Sequence, residues 1–129
     1  MSSQRIILAI GPHEYVLQNH RLHRMDIANR KKVIRLKAGM VARAELAPME
    51  GPVQIIGRLH VQKGVLPDVS AIAPMVKSAL DGIVDAGILP GDDSSIVVRE
   101  SYDPPIRDRS IPAGLHRLEI TIQPWRDDA

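Results

Sequence analysis

The spacing of the apolar residues constrains the fold of this chain more than any other feature of its sequence. Residues 116–123, HRLEITIQ, alternate between apolar and polar side chains, with Leu118, Ile120 and Ile122 on one side. Such alternation is typical of a β-strand with one buried face. Three other short segments are rich in aliphatic residues and are bounded by Gly, Pro or Asp, so they predict further strands at 5–10, 53–61 and 96–100.

Two longer segments repeat apolar residues every three or four positions, which predicts helices over 24–46 and 71–86. In the first segment, the residues that recur at helical spacing are Val33, Leu36, Met40 and Ala44. Gly39 lies inside this helix, where glycine costs about 1 kcal/mol relative to alanine. We therefore expect Gly39 to mark a close packing contact.

The second helix has its own apolar stripe and recognisable ends. The residues of the stripe are Ile72, Val76, Ala79, Leu80 and Ile83. Ser70 is the expected N-cap, Pro74 fits the first turn, and Gly87 fits the C-terminal end. The order strand, helix, strand, helix, strand, strand predicts one α+β domain over residues 1–129, in which two helices pack on one face of a small mixed β-sheet. Residues 102–114 are expected to form a Pro-rich loop.

The composition excludes several kinds of protein. The 129 residues include no cysteine, so disulfides and thiolate metal sites are impossible, and no phenylalanine, so the core must be aliphatic. Aromatic platforms for stacking bases are scarce, since Tyr15, Tyr102 and Trp125 are the only candidates. No apolar run is long enough for a membrane span, and we expect a cytoplasmic protein with no membrane association. Serine-hydrolase, P-loop and GxGxxG patterns are absent.

Charge is distributed unevenly along the chain. Residues 1–65 carry eleven Lys and Arg against four Asp and Glu, a net charge of +7, whereas residues 66–129 carry six against eleven, a net charge of −5. A basic half favours a polyanionic partner and an acidic half favours a cation. Arg24, Lys31 and Arg35 fall on one stripe of the first helix, which suits a phosphate backbone.

Several acidic residues flank the second helix and are candidates for a metal site. Asp68 precedes this helix, and Asp92 and Asp93 follow it after a short turn. Lys77 and Asp81 are four residues apart and share one face. If the chain folds back over the helix, these carboxylates would meet and hold Mg²⁺ or Mn²⁺, and Lys77 would contact a phosphate. The alternative is an ordinary surface pair, Lys77 with Asp81, beside a solvated turn.

Taken together, these residues resemble the RusA family of Holliday-junction resolvases, small dimeric endonucleases of phages and prophages. LQNHRLHRM, residues 17–25, is similar to that family's Asn-x-Arg-Leu-His segment before a basic helix. The main likeness is the block from Pro67-Asp68 through KSALDGIVDAGILPGDD, residues 77–93, which looks most like the actinobacterial phage branch. Ser70 and Ala71 depart from this pattern, since the family has Asp and Asn there.

The resemblance implies a RusA-like fold and Mg²⁺-dependent (or Mn²⁺-dependent) cleavage of branched DNA by a homodimer, in recombination and phage DNA processing. It implies catalytic roles for Asp68, Lys77 and Asp92. The metal-binding carboxylates would be Asp68, Asp92, Asp93 and Asp81, and the DNA-binding residues would be Arg21, Arg24, Lys31, Lys32 and Arg35.

The departures at Ser70 and Ala71 leave alternatives open. A hydroxyl is a weaker ligand than a carboxylate for a hard cation, and alanine cannot bind a metal at all. The chain is therefore either a junction endonuclease in which Asp81 or Asp93 compensates for Ser70, or a catalytically silent relative that binds branched DNA or a protein partner. A third interpretation is an interaction domain with no role on DNA.

Overall fold

The fold is a mixed β-sheet with two helices, seen in a computed structural model that describes residues 2–126. Its strands are β1 (Gln4–Ile10), β2 (Val53–Val61), β3 (Val97–Tyr102), β4 (Ile106–Arg107) and β5 (His116–Pro124). The helices are α1 (Arg24–Glu45) and α2 (Ala73–Asp85), and a 3₁₀ turn at Val69–Ile72 leads into α2. The α+β class and the predicted order are confirmed. The two-residue strand β4 is an addition, which lies within the segment expected to be a loop.

The last strand lies in the middle of the sheet. The strand order is β1-β5-β2-β3, and β4 pairs with the end of β2 beyond β3. β5 runs antiparallel to both β1 and β2, whereas β3 and β4 run parallel to β2. β3 is therefore an edge strand.

One face of the sheet is continuously apolar because the strand registers align the buried residues. Ile6 lies opposite Ile120, Leu8 lies opposite Leu118, and Ile122 lies opposite Ile55 of β2. All of these side chains are at most 1% exposed. The alternation predicted for residues 116–123 is confirmed, because burying Leu118, Ile120 and Ile122 turns the polar residues between them to the other face.

The helices cover this apolar face and cross each other closely. A Cβ atom on Gly82 of α2 would lie 2.2 Å from the carbonyl oxygen of Arg35 in α1, and one on Gly39 would lie 3.3 Å from the carbonyl oxygen of Gly82. A Cβ on Gly57 of β2 would lie 2.5 Å from Val76 of α2. The close contact expected at Gly39 is confirmed, since only small residues allow the helices to approach this far.

The buried face of α1 differs from the predicted stripe. Its buried residues are Ile34, Ala38, Gly39 and Ala42. Val33, Leu36 and Met40 are 40%, 60% and 70% exposed, and Ala44 is exposed as well. The prediction was wrong because two stripes on this helix fit a period of 3.6, and the close crossing with α2 requires the stripe with the smaller side chains.

Of the three residues predicted to mark the ends of α2, two are confirmed and the N-cap prediction is wrong. Pro74 lies in the first turn, and Gly87 follows the helix with φ of +79°, as predicted. Ser70 does not cap α2, since it lies within the 3₁₀ turn and the residue at the N-cap position is Ile72. The 3₁₀ turn forms because Asp68 is extended and the amide of Ala71 bonds its carbonyl oxygen, one turn before α2 begins.

No helix among residues 2–126 is both long enough and apolar enough to cross a lipid bilayer.

Candidate active site

Lys77 forms the centre of a charged cluster on the outer side of α2. Its ammonium nitrogen lies 2.8 Å from Oδ2 of Asp92 and 3.8 Å from Oδ1 of Asp81. Asp81 is one turn further along the same helix, so helical geometry alone places it near Lys77. Asp92 comes from a different segment, so its contact with Lys77 depends on the path of the chain after the helix.

The return of the chain after α2 brings Asp92 to Lys77. Gly87 has a positive φ, which reverses the chain direction at the end of the helix. Ile88 and Leu89 then bury their side chains to 3% and 2% exposure and anchor the returning segment on the core. A shared site required the chain to fold back over α2. This happens for Asp92, because two apolar residues follow Gly87 and bury their side chains.

The ion pair changes the titration of both partners. The hydrogen bond from Lys77 holds the pKa of Asp92 below its usual value, and the same bond raises the pKa of Lys77. Nearby Asp81 raises the pKa of Lys77 further. Asp92 is therefore a carboxylate and Lys77 an ammonium ion at neutral pH, and Lys77 is suited to donating hydrogen bonds to an anion and unsuited to accepting a proton.

Glu100 is a third carboxylate of this cluster, and sequence reasoning missed it. It lies on edge strand β3, where it is close enough for its charge to act on Lys77 and accepts a hydrogen bond from Tyr102. Its side chain is exposed, but the protein atoms around it partly desolvate the carboxyl group, which raises its pKa despite the opposing effect of Lys77. A signal was present in the sequence, because Glu100 and Tyr102 are two residues apart and so share one face of a strand.

The neighbouring carboxylate of Asp93 faces its own turn. It accepts hydrogen bonds from the backbone amide of Ser95, at 2.9 Å, and from the hydroxyl of Ser95. These bonds hold the pKa of Asp93 below its usual value. The adjacent aspartates thus have different roles: Asp92 pairs with Lys77, and Asp93 stabilises the turn that leads into β3.

Asp68 lies outside the cluster. It is exposed at the start of the 3₁₀ turn, and its carboxylate makes no hydrogen bond or ion pair with any residue in the described range. Within residues 2–126, no three His, Asp or Glu side chains are arranged as a ready group for a metal ion. The contacts therefore bring together Lys77, Asp81 and Asp92 from the predicted set, and the metal site itself stays a prediction.

A basic groove runs between α1 and α2 and ends at this cluster. It has a volume of about 850 Å³, and its charged lining residues are Lys31, Lys32, Arg35, Lys77 and Asp81. The remaining lining residues are uncharged: Gln18, Ala28, Leu36, Ala73, Pro74 and Ser78. Lys77 and Asp81 thus belong both to the cluster and to the groove, which makes the two continuous.

The predicted DNA-binding residues differ in how free their charges are. Arg35 makes a two-pronged ion pair with Asp85 of α2, with distances of 2.6 and 2.8 Å, and this pair raises the pKa of Arg35. Lys31 and Lys32 are exposed and form no ion pair with other described residues. Arg21 and Arg24 are equally unpaired within residues 2–126, and they lie before and at the start of α1, outside the groove lining.

Comparison with known proteins gave no match: no family model matches this chain, and neither does any curated protein.

Proposed function

We propose that this chain is a RusA-like, Mg²⁺-dependent endonuclease that cleaves four-way junctions and other branched DNA. The observation that carries the proposal is the continuity of the basic groove with the charged cluster, through Lys77 and Asp81. A groove lined with Lys and Arg attracts a phosphate backbone. A phosphate that follows this groove would reach the carboxylates of the cluster.

The groove supports a contact with the DNA backbone more than a contact with bases. Lys31 and Lys32 are exposed and form no ion pair within residues 2–126, and ammonium groups interact with phosphates as point charges. Arg35 is paired with Asp85, which offsets its charge, so it serves mainly to fix α1 to α2. Among the described residues that line the groove, no side chain is aromatic and available for stacking. We therefore expect binding that depends on DNA shape and salt, with little dependence on sequence.

The cluster contains donor atoms of the type that a hard divalent cation prefers, although they do not form a ready metal group within residues 2–126. Asp81, Asp92 and Glu100 offer carboxylate oxygens, the ligands that Mg²⁺ and Mn²⁺ prefer. When bound, such an ion polarises a phosphoryl oxygen and lowers the pKa of its bound water. Lys77 holds the carboxylates together in the free protein, and its side chain, which is 55% exposed, has room to turn away when a cation binds.

Lys77 also has a role in the proposed reaction, as a hydrogen-bond donor to the phosphate. Its raised pKa keeps it protonated, so it can donate hydrogen bonds to a phosphate oxygen and stabilise the charge that develops there. Asp68, which the resemblance implies as a further ligand, lies on an exposed turn before α2 and would have to approach the cluster when metal and DNA bind.

The proposal includes a homodimer, because a symmetric junction requires two cuts. It also includes a cytoplasmic location. Sedimentation equilibrium tests the dimer, and a monomer mass at micromolar concentration contradicts it.

The second candidate function is a catalytically silent protein that binds branched DNA. One specific observation favours it: the Lys77 ammonium lies against Asp92 and near Asp81, which leaves less negative charge for a cation, and Ser70 and Ala71 supply no carboxylate. In this case the groove would bind DNA and the cluster would stabilise the outer side of α2.

Cleavage of a labelled four-way junction in Mg²⁺ and in Mn²⁺ separates the two candidates. The panel consists of the native chain, the Asp92→Asn variant, and a variant with both Ser70→Asp and Ala71→Asn. The endonuclease proposal predicts cleavage by the native chain and its loss in Asp92→Asn. Cleavage by the double variant alone would reject the native enzyme and support the silent DNA-binding protein.

A further inference from the structure

A second cluster of positive charge lies away from the groove, beyond the ends of β2 and β4. It forms a concave site of about 370 Å³, and the lining residues are Gln62, Lys63, Gly64, Arg107 and Arg109. This basic patch shares no residue with the groove between α1 and α2. It brings together two segments that are more than forty residues apart in the sequence.

Backbone pairing fixes the position of the patch. Arg107 pairs with Val61 in the parallel β2–β4 ladder, and the amide of Asp108 donates a hydrogen bond to the carbonyl oxygen of Val61 at 3.0 Å. The guanidinium of Arg107 also donates to the carbonyl oxygen of Gly64. The turn after β2 and the segment after β4 are thereby held side by side, with their basic side chains on one concavity.

The positive charges of the patch are not neutralised within the described part of the chain. Lys63, Arg107 and Arg109 are exposed and form no ion pair there. The nearest acidic residue in the sequence, Asp108, does not line the site, because its carboxylate accepts hydrogen bonds from the amide and the hydroxyl of Ser110. Three like charges in one concavity repel one another, and an anion placed among them would relieve this repulsion.

We infer that Lys63, Arg107 and Arg109 form a second binding site, which takes a phosphate group of a polynucleotide backbone. That this polyanion is branched DNA rests on the proposed function. The patch is connected to the groove by the short segment from Gly64 to Asp68, which leads into the 3₁₀ turn and α2. A branched DNA has more than one arm, so a basic groove and a separate basic patch on one chain would bind two stretches of its backbone. A linear duplex has a single axis. If that axis cannot reach both sites, the duplex binds through only one of them.

Binding of a labelled four-way junction, measured by fluorescence anisotropy over a range of salt concentrations, tests this site. The variant carries Lys63→Ala and Arg109→Ala, because neither side chain makes a hydrogen bond or ion pair with residues 2–126, whereas Arg107 bonds the carbonyl oxygen of Gly64. The matched control carries Arg43→Ala and Arg99→Ala, which removes the same charge from positions outside both the groove and the patch. We expect the junction affinity of the patch variant to fall at least about fivefold at low salt. The salt slope should decrease by about one for each phosphate that the variant no longer binds, and the control should change little.

The possible outcomes separate this inference from the proposed function. If the native chain binds junctions and the patch variant matches the control in affinity and salt slope, the second site is rejected and the proposed function stands. If the native chain binds no DNA, the proposed function fails, and the second site is then tested with inorganic phosphate. Thermal stabilisation by phosphate, relative to chloride at equal ionic strength, would support the site if the patch variant loses it, and would reject the site if native and variant respond alike.

Discussion

Replacing Gly82 with alanine tests how closely α1 and α2 must approach. The new Cβ would lie 2.2 Å from the carbonyl oxygen of Arg35 and 2.9 Å from the amide nitrogen of Gly39. A carbon and a carbonyl oxygen normally stay at least about 3.3 Å apart, so the helices must separate by about 1 Å. Both opposing atoms belong to the backbone, so no side-chain rotation can relieve the clash.

The expected magnitude follows from two opposing effects. Overpacking of this kind costs about 3 kcal/mol, at the upper end of the usual range because the backbone has to move. The gain in helix propensity from Gly to Ala offsets about 1 kcal/mol. The net loss in the free energy of unfolding is therefore about 2 kcal/mol, which corresponds to a decrease of about 6–10 °C in Tm for a chain of this size.

Gly39→Ala is the matched comparison, because the same residue change occurs at the same helix crossing. Its Cβ would lie 3.3 Å from the carbonyl oxygen of Gly82, so a small adjustment is sufficient and the propensity gain offsets most of the cost. Chemical denaturation and thermal scans of both variants measure the difference. If Gly82→Ala is as stable as Gly39→Ala, the account of this crossing is wrong.

Three further predictions concern the charged cluster and the groove. Lys77→Met removes a positive charge that lies 2.8 Å from Asp92 and 3.8 Å from Asp81, an interaction worth about 1 kcal/mol in water. Calorimetry should therefore give Mg²⁺ binding about fivefold tighter, and NMR should show the pKa of Asp92 rising toward its usual value; weaker Mg²⁺ binding contradicts this. Glu100 has a raised pKa in the folded protein, so the folded state holds this proton more tightly, and the free energy of unfolding falls as pH rises above the ordinary glutamate value of about 4.3. Glu100→Gln should therefore gain stability relative to the native chain between pH 4 and pH 7 in urea unfolding, and an unchanged difference at the two pH values would refute the desolvation argument. Replacing both Lys31 and Lys32 with alanine should weaken junction binding for all DNA sequences alike and reduce the salt slope by about two, whereas a sequence-dependent loss in anisotropy titrations would mean that the groove reads bases.

Much of the sheet could be predicted because each strand has only two faces. Once Leu118, Ile120 and Ile122 are on one side, the register of β5 with its neighbours has little freedom. A helix offers more choices, and α1 has two apolar stripes of similar quality. The decision between them depends on Gly82 of a different helix, which is a tertiary constraint that the local spacing in α1 does not contain.

The candidate site was predictable to the extent that it depends on local geometry. The pairing of Lys77 with Asp81 follows from their spacing on α2, and the pairing of Lys77 with Asp92 follows once the chain is known to reverse after the helix. The different roles of Asp92 and Asp93 depend on Ser95, whose amide and hydroxyl bind only the second aspartate. Glu100 was missed because its effect on Lys77 depends on the tertiary fold, which the shared strand face of Glu100 and Tyr102 does not reveal.

The proposed function depends on the carboxylates around Lys77 holding a divalent cation, and calorimetric titration of the native chain and Asp92→Asn with Mg²⁺ and Mn²⁺ measures this directly. A Ser70→Asp variant beside them shows whether a missing ligand can be restored. We expect the native chain to bind at about 1 mM or tighter, within the range of weak protein sites, and Asp92→Asn to lose this binding. No binding by the native chain, or binding that Asp92→Asn leaves unchanged, would show that these carboxylates do not hold the cation.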